Sequence, residues 1–155
     1  MLKKYSIVFL ILISIPLFFT ACSRNDEDSA KNYIKLFFPG GSYENWVVEE
    51  KELPADPIII VYELMDNPKS RIPKDTKLLS LEVKDNIAYV NLSNEFEDMT
   101  TLGDMGIWQN IFSIVNTLCV NENLGINSVQ FLLEGEIQQF IGDTVTDKPN
   151  HPSIK

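Results

Sequence analysis

The stretch from Leu79 to Ser93 constrains the fold of this chain more than any other. Leu79, Leu81 and Val83 alternate with Ser80, Glu82 and Lys84, and after Asp85-Asn86 come Ala88, Val90 and Leu92, alternating with Tyr89, Asn91 and Ser93. An apolar period of two belongs to a strand with one buried face. Asp and Asn tolerate positive φ, so Asp85-Asn86 predicts a two-residue hairpin turn. Such a turn pairs Val83 with Ala88, Leu81 with Val90 and Leu79 with Leu92, with all six apolar side chains on one face. A slip of one residue would mix the faces, so the register is strongly specified.

The rest of the chain supplies what that face needs as cover. Asp56-Pro57 reads as an N-cap and first helical position. Ile58, Val61, Tyr62 and Met65 then recur at helical spacing, Ile59, Ile60 and Leu64 widen the apolar face, and Asn67-Pro68 ends the helix. This predicts a well-buried helix. Ile107, Ile111, Ile114, Val115 and Leu118 form a second helical stripe, with Trp108, Phe112 and Cys119 beside it. Tyr33 to Phe38 is a β-rich run closed by the turn signal Pro39-Gly40-Gly41, Trp46-Val47-Val48 starts another strand, and Val129, Phe131 and Leu133 alternate in a last one. The expected fold class is α+β, in the order β-β-α-β-β-α-β, a single small sheet with two helices packed on one face.

The N-terminus reads as an address. Lys3-Lys4 precedes an apolar run from Ile7 to Phe19, then small residues and a cysteine. That is the layout of a secretory signal peptide, and the apolar run is short for a bilayer span. Phe19-Thr20-Ala21-Cys22 resembles the lipobox of bacterial lipoproteins, in which the cysteine thiol carries diacylglycerol and becomes the first mature residue. Two acyl chains suffice for stable anchoring. The expected organisation is a lipoprotein signal peptide at 1–21, a polar tether at 22–32, a folded domain at 33–147 and a tail at 148–155. Cys22 is the expected lipid-attachment site, on the extracytoplasmic face of the cell membrane.

Composition narrows the function. The formal net charge is −9, and losing Lys3 and Lys4 with the leader takes it to −11. Lys and Arg form no cluster of the kind that binds nucleic acid phosphates. An acidic domain is also repelled by anionic headgroups, so lipid must hold it at the membrane. Two cysteines and one histidine cannot supply the four ligands of a zinc site without carboxylate help. The one histidine, His151, lies in the expected tail, away from any triad partner. No catalytic residue, metal ligand or cofactor site is expected.

Several segments together resemble a known family. Asn67-Pro68 and Ile72-Pro73-Lys74-Asp75-Thr76-Lys77-Leu78-Leu79 resemble its helix end and its "LPxGTxLL" lead into a hairpin. Val83 to Ser93 resembles its "V-x-D/N-G-x-A-x-V-D-L-S" hairpin, with Asn86 at the usual Gly and Asn91 at the usual Asp. Gln109 with Thr117-Leu118 resembles its "Q…TLT" helix, with Cys119 as the third residue, and Val129 to Gly135 its "V-x-I-L-I-D-G" strand. The family is the GerM (GerMN) domain, associated with sporulation and spore germination. The resemblance covers roughly Ile34 to Gly135. It implies a fold similar to ring-building domains of secretion and sporulation complexes. It also implies a non-catalytic module for protein–protein contact, whose partner lies on the outer face of the membrane.

Three groups of residues admit a sharper chemical reading. Tyr43 and Trp46, near a Gly-rich turn, either anchor a protein partner, stack on peptide or cell-wall glycan, or cover one end of the core. Glu95, Glu97 and Asp98, with Asp104 nearby, are read as a solvated acidic loop; hydrolase chemistry or Ca²⁺ binding is the competing reading. Cys119 is read as a small buried hydrophobe rather than a reactive thiol.

Overall fold

The computed structural model of the chain describes residues 32–98 and 103–154. Cys22, the signal peptide and all of the tether before Asn32 lie outside the described residues, as does the side chain of Asp104. Strands β1 (Tyr33–Ser42) and β2 (Asn45–Glu52) lead into helix α1 (Pro57–Asp66). Strands β3 (Leu78–Lys84) and β4 (Ile87–Leu92) follow, then helix α2 (Gly103–Val120) and strand β5 (Ser128–Leu133). Two short strands, β6 (Phe140–Ile141) and β7 (Thr144–Val145), close the series. The class is α+β and the order of the first seven elements is the expected one. No helix among the described residues is long and apolar enough to cross a membrane.

The strands do not join into one sheet. They form a β1–β2 hairpin, a three-stranded sheet in the order β3-β4-β5, and a small β6–β7 hairpin. The antiparallel β3–β4 pair continues into a parallel β4–β5 pair, with α2 as the crossover between them. Helix α2 packs against β1 as well as β5, which explains the separation. On the edge of β1 away from β2, the Lys35 amide donates to Asn121 Oδ1 at 2.9 Å and the Phe37 amide to Thr117 Oγ1 at 3.0 Å. Asn121 Nδ2 returns a bond to the Lys35 carbonyl at 3.0 Å. Side chains at the end of α2 thus satisfy the edge that a larger sheet would have used.

The central hairpin forms in nearly the expected register. Asp85 and Asn86 have φ of 53° and 62°, as a type I′ turn requires. Leu81 pairs with Val90 and Val83 with Ala88. The expected Leu79–Leu92 pair does not form. A bulge between Leu78 and Ser80 places Leu78 opposite Leu92 and turns Leu79 outward. Leu79 is accordingly 44% exposed and Leu81 9%. Val83, at the strand end, is also exposed.

Three other local expectations change. Pro39-Gly40-Gly41 is not the end of β1 but an irregularity inside it, and the turn falls at Tyr43-Glu44. Gly40 is needed there, since a Cβ would lie 2.5 Å from the Asn45 carbonyl oxygen. Helix α1 is capped as expected, Asp56 accepting from the Ile58 amide at 2.8 Å, but only Ile60, Val61 and Leu64 are buried. Residues 148–154 are docked rather than trailing. Asn150 exchanges two backbone hydrogen bonds with Val129, and the Ser153 amide donates to the buried Asn116 side chain at 2.9 Å.

The core joins all of these layers. Ile34, Leu36 and Phe38 of β1, Ile60, Val61 and Leu64 of α1, and Ile111, Ile114 and Leu118 of α2 meet Val90, Leu92, Val129 and Phe131 of the sheet. Phe96, from the 3₁₀ turn Asn94–Glu97, stacks on Phe131 with ring centroids 6.2 Å apart.

Candidate functional site

Strand β2 and helix α1 form one flank of the molecule. Two ion pairs tie that flank together: Lys51 of β2 with Glu63 of α1, and Glu49 of β2 with Lys69 just beyond α1. Asn67 Nδ2 also donates to Glu49 Oε2 at 3.0 Å. The Lys69 ammonium and the Asn67 amide hold the Glu49 carboxyl below its ordinary pKa. This contact is surface-screened and serves orientation more than stability.

Along the flank, apolar side chains face water. Ile58 is 42%, Ile59 41% and Tyr62 46% exposed on α1, and Val47 is exposed on the face of β2 that carries Glu49 and Lys51, while the exposed Val48 lies on the opposite face. The helical stripe expected to be buried is therefore only half covered. The core takes the Ile60–Val61–Leu64 side, and the Ile58–Ile59–Tyr62 side is left partly exposed.

Strand β2 also carries an open edge. The Asn32 carbonyl bonds to the Leu53 amide, and the outward amides of β1 belong to Lys35 and Phe37. Alternation then assigns the β1-facing groups of β2 to Val47, Glu49 and Lys51. Trp46, Val48 and Glu50 turn their backbone N–H and C=O groups away from β1, where no backbone partner meets them among the described residues.

The two aromatic candidates lie at the tip of this hairpin and meet side chains that sequence reading did not connect to them. Tyr43 is exposed and makes an edge contact with Trp108 of α2, centroids 5.1 Å apart. Trp46 is half-buried with its centroid 6.0 Å from Trp108, and Trp108 stacks on Phe112 at 4.4 Å. The Trp46 indole Nε1 is buried without a hydrogen-bond partner. Nothing local links Trp46 to Trp108; only the packing of α2 on β1 does.

The remaining candidates are dispersed. Glu95 sits in the 3₁₀ turn, its carboxyl held below the ordinary range by the Ser93 hydroxyl and its own backbone amide. A glycosidase general acid needs the opposite shift. Glu97 and Asp98 are exposed, and no three His, Cys, Asp or Glu residues among those described are placed to hold a metal. His151 is exposed, its Nδ1 3.2 Å from the Asn127 carbonyl. Cys119 is half-buried against the core, and burial pushes its thiol pKa up to about 12. A cleft of about 770 Å³ follows α1, lined by Met65, Asn67, Arg71, Ile72, Lys74 and Thr76. Neither Tyr43 nor Trp46 lines it.

Comparison with known proteins agrees with this architecture. The family described as Germane: sporulation and spore germination matches residues 35–139. No curated protein matches the chain. Among solved structures, the chain is similar to a candidate lipoprotein from Clostridium perfringens, at 25% identity and a TM-score of 0.55, covering 78% of this chain and 87% of that one. It is also similar to the first GerMN domain of the sporulation protein GerM from Bacillus subtilis, at 20% identity and a TM-score of 0.53, over 79% and 97% of the two chains. The tandem GerMN domains of the same protein match at 15% identity and a TM-score of 0.55, over 82% of this chain and 46% of that one. The likeness to GerM is one of fold, and this chain spans a little under half of the tandem pair.

Proposed function

The chain belongs to the Germane family of sporulation and spore germination, and on that premise we propose that it is a lipoprotein whose Germane domain works by binding rather than turnover. Cys22 carries the lipid and holds the domain on the outer face of the cell membrane. The domain meets a protein partner there, in sporulation or germination.

The observation that carries this reading is the α1–β2 flank, where Ile58, Ile59 and Tyr62 of α1 and Val47 of β2 are exposed. Apolar side chains gathered on one side of a small domain mark a contact surface. Among the described residues the dispersed acidic and histidine side chains supply no nucleophile–base pair, and the Cys119 thiol stays protonated at neutral pH. The C. perfringens relative supports the lipoprotein assignment. The glycan- or peptide-binding alternative at Tyr43 and Trp46 is the weaker one, because Trp108 already occupies ring contacts to both.

The test has two arms. Cys22→Ser should abolish fatty-acid labelling and release the protein from washed membranes; unchanged labelling would remove the lipoprotein assignment. A photoreactive residue at Ile59 should give a discrete adduct on membranes of sporulating cells. A deletion strain that sporulates and germinates at wild-type frequency would overturn the developmental role.

A further inference from the structure

We propose that the partner adds an extended strand to the free edge of β2, and that this strand is basic. The inference rests on the reading of the domain as an interaction module and names how its surface is engaged. The β1–β2 hairpin has two edges, and Thr117 of α2 with Asn121 just beyond its end closes one of them. The other edge stays open among the described residues, presenting the N–H and C=O groups of Trp46, Val48 and Glu50 in alternation. An exposed strand of this length is a template for another chain unless something blocks it. The usual blocks are missing: β2 contains no proline and no bulge over Asn45–Glu52, and its one lysine is engaged by Glu63. Strand addition uses such groups for affinity and the alternating side chains for selectivity.

Charge decides the occupant. Strand β2 carries Glu49, Glu50 and Glu52 against Lys51, a formal net charge of −2. Glu49 is engaged by Lys69, whereas Glu50 has no ion pair among the described residues. A second copy of the lipidated chain would bring the same acidic strand on a body of net charge −11, the full chain's −9 less Lys3 and Lys4. The chain's own segment Ser23–Lys31 has three acids to two bases, so it also lacks the complementary charge. The strand that fits places apolar side chains opposite Trp46 and Val48 and a Lys or Arg opposite Glu50.

The experiment uses the lipidated protein in detergent micelles. The probes are a short peptide alternating Thr with Val and Lys, and the same peptide with Glu in place of Lys. Amide exchange followed by NMR should be fast at Trp46, Val48 and Glu50 in the free protein and slow at Val47 and Glu49. Saturating basic peptide should protect the first three and leave the others unchanged. Glu50→Lys should reverse the preference between the two peptides by about tenfold, because a cross-strand attraction becomes a repulsion. Val48→Pro removes an outward N–H that the fold does not use, so it should abolish protection without unfolding the hairpin. If Val48→Pro unfolds the protein, Glu50→Lys still decides the matter. Several outcomes overturn the proposal: no protection at saturation, equal protection by both peptides, or β2 amides already protected in the free protein by a second copy or by Ser23–Lys31. Membrane release of Cys22→Ser and the Ile59 adduct report separately on the anchor and on the interaction role. An Ile59 adduct without β2 protection would leave that role standing and remove only the strand.

Discussion

At the scale of single residues, polar side chains do unusual amounts of structural work in this protein. Asn121 is buried and spends its amide on both backbone groups of Lys35 and on the Thr117 carbonyl at 2.6 Å. Its polarity is required because the edge of β1 has nowhere else to bond. Asn91, at the usual Asp of the family hairpin, accepts from the Gly135 amide at 2.8 Å and so ties the ends of β4 and β5 together. Cys119 is the opposite case, a polarisable group used for packing. Its thiol rises from an ordinary value of 9.0 to about 12 through burial. Between those pH values the folded state keeps a proton that the unfolded state releases, so stability falls as pH rises through that window. Iodoacetamide at neutral pH should leave Cys119 unmodified in the native protein and label it on unfolding. Rapid native labelling would show that the thiol is accessible and ionised.

At the scale of elements, the β3–β4 hairpin shows where local pattern holds and where it yields. The turn and the Leu81–Val90 pair follow from residues adjacent in sequence. The bulge near Leu78 does not, because both Leu78 and Leu79 can fill an inward position. The Tyr62 hydroxyl lies 3.4 Å from the Leu78 carbonyl, so α1 contacts the strand at this point. Leu81→Ala should therefore cost about 2–5 kcal/mol, and Leu79→Ala should stay within about 0.5 kcal/mol. Urea denaturation of the two variants checks the bulge. Comparable losses at both positions would mean that Leu79 points inward.

At the scale of the whole molecule, α2 is the organiser. It is buried on most of its circumference, with Gln109, Asn110, Ser113, Asn116 and Thr117 enclosed as well as its apolar stripe. Each face meets a different partner: β1 on one side, β5 on another, and Ser153 of the C-terminal segment at Asn116. The C-terminal segment is thus part of the fold. Deleting residues 148–155 removes two backbone bonds to Val129 and the partner of a buried amide, and should cost about 2–4 kcal/mol. A shift in the urea midpoint measures it. A loss below about 0.5 kcal/mol would return that segment to the status of a tail.

The sequence by itself determined the α+β class, the order of the first seven elements, the cap of α1 and the hairpin turn at Asp85-Asn86. Each depends on periods and turn chemistry within a few residues. The candidate aromatics Tyr43 and Trp46 were also legible, as large side chains beside a Gly-rich turn. Their contacts with Trp108, the open edge of β2 and the partly exposed side of α1 were not. The Asn121–Lys35 bonds that close one edge of β1 join residues 86 positions apart. Which half of the α1 stripe faces the core is likewise set by where β1 and α2 lie, not by the stripe. Tertiary structure alone decided these features, because a buried edge and an exposed one read alike until the element that covers one of them is in place.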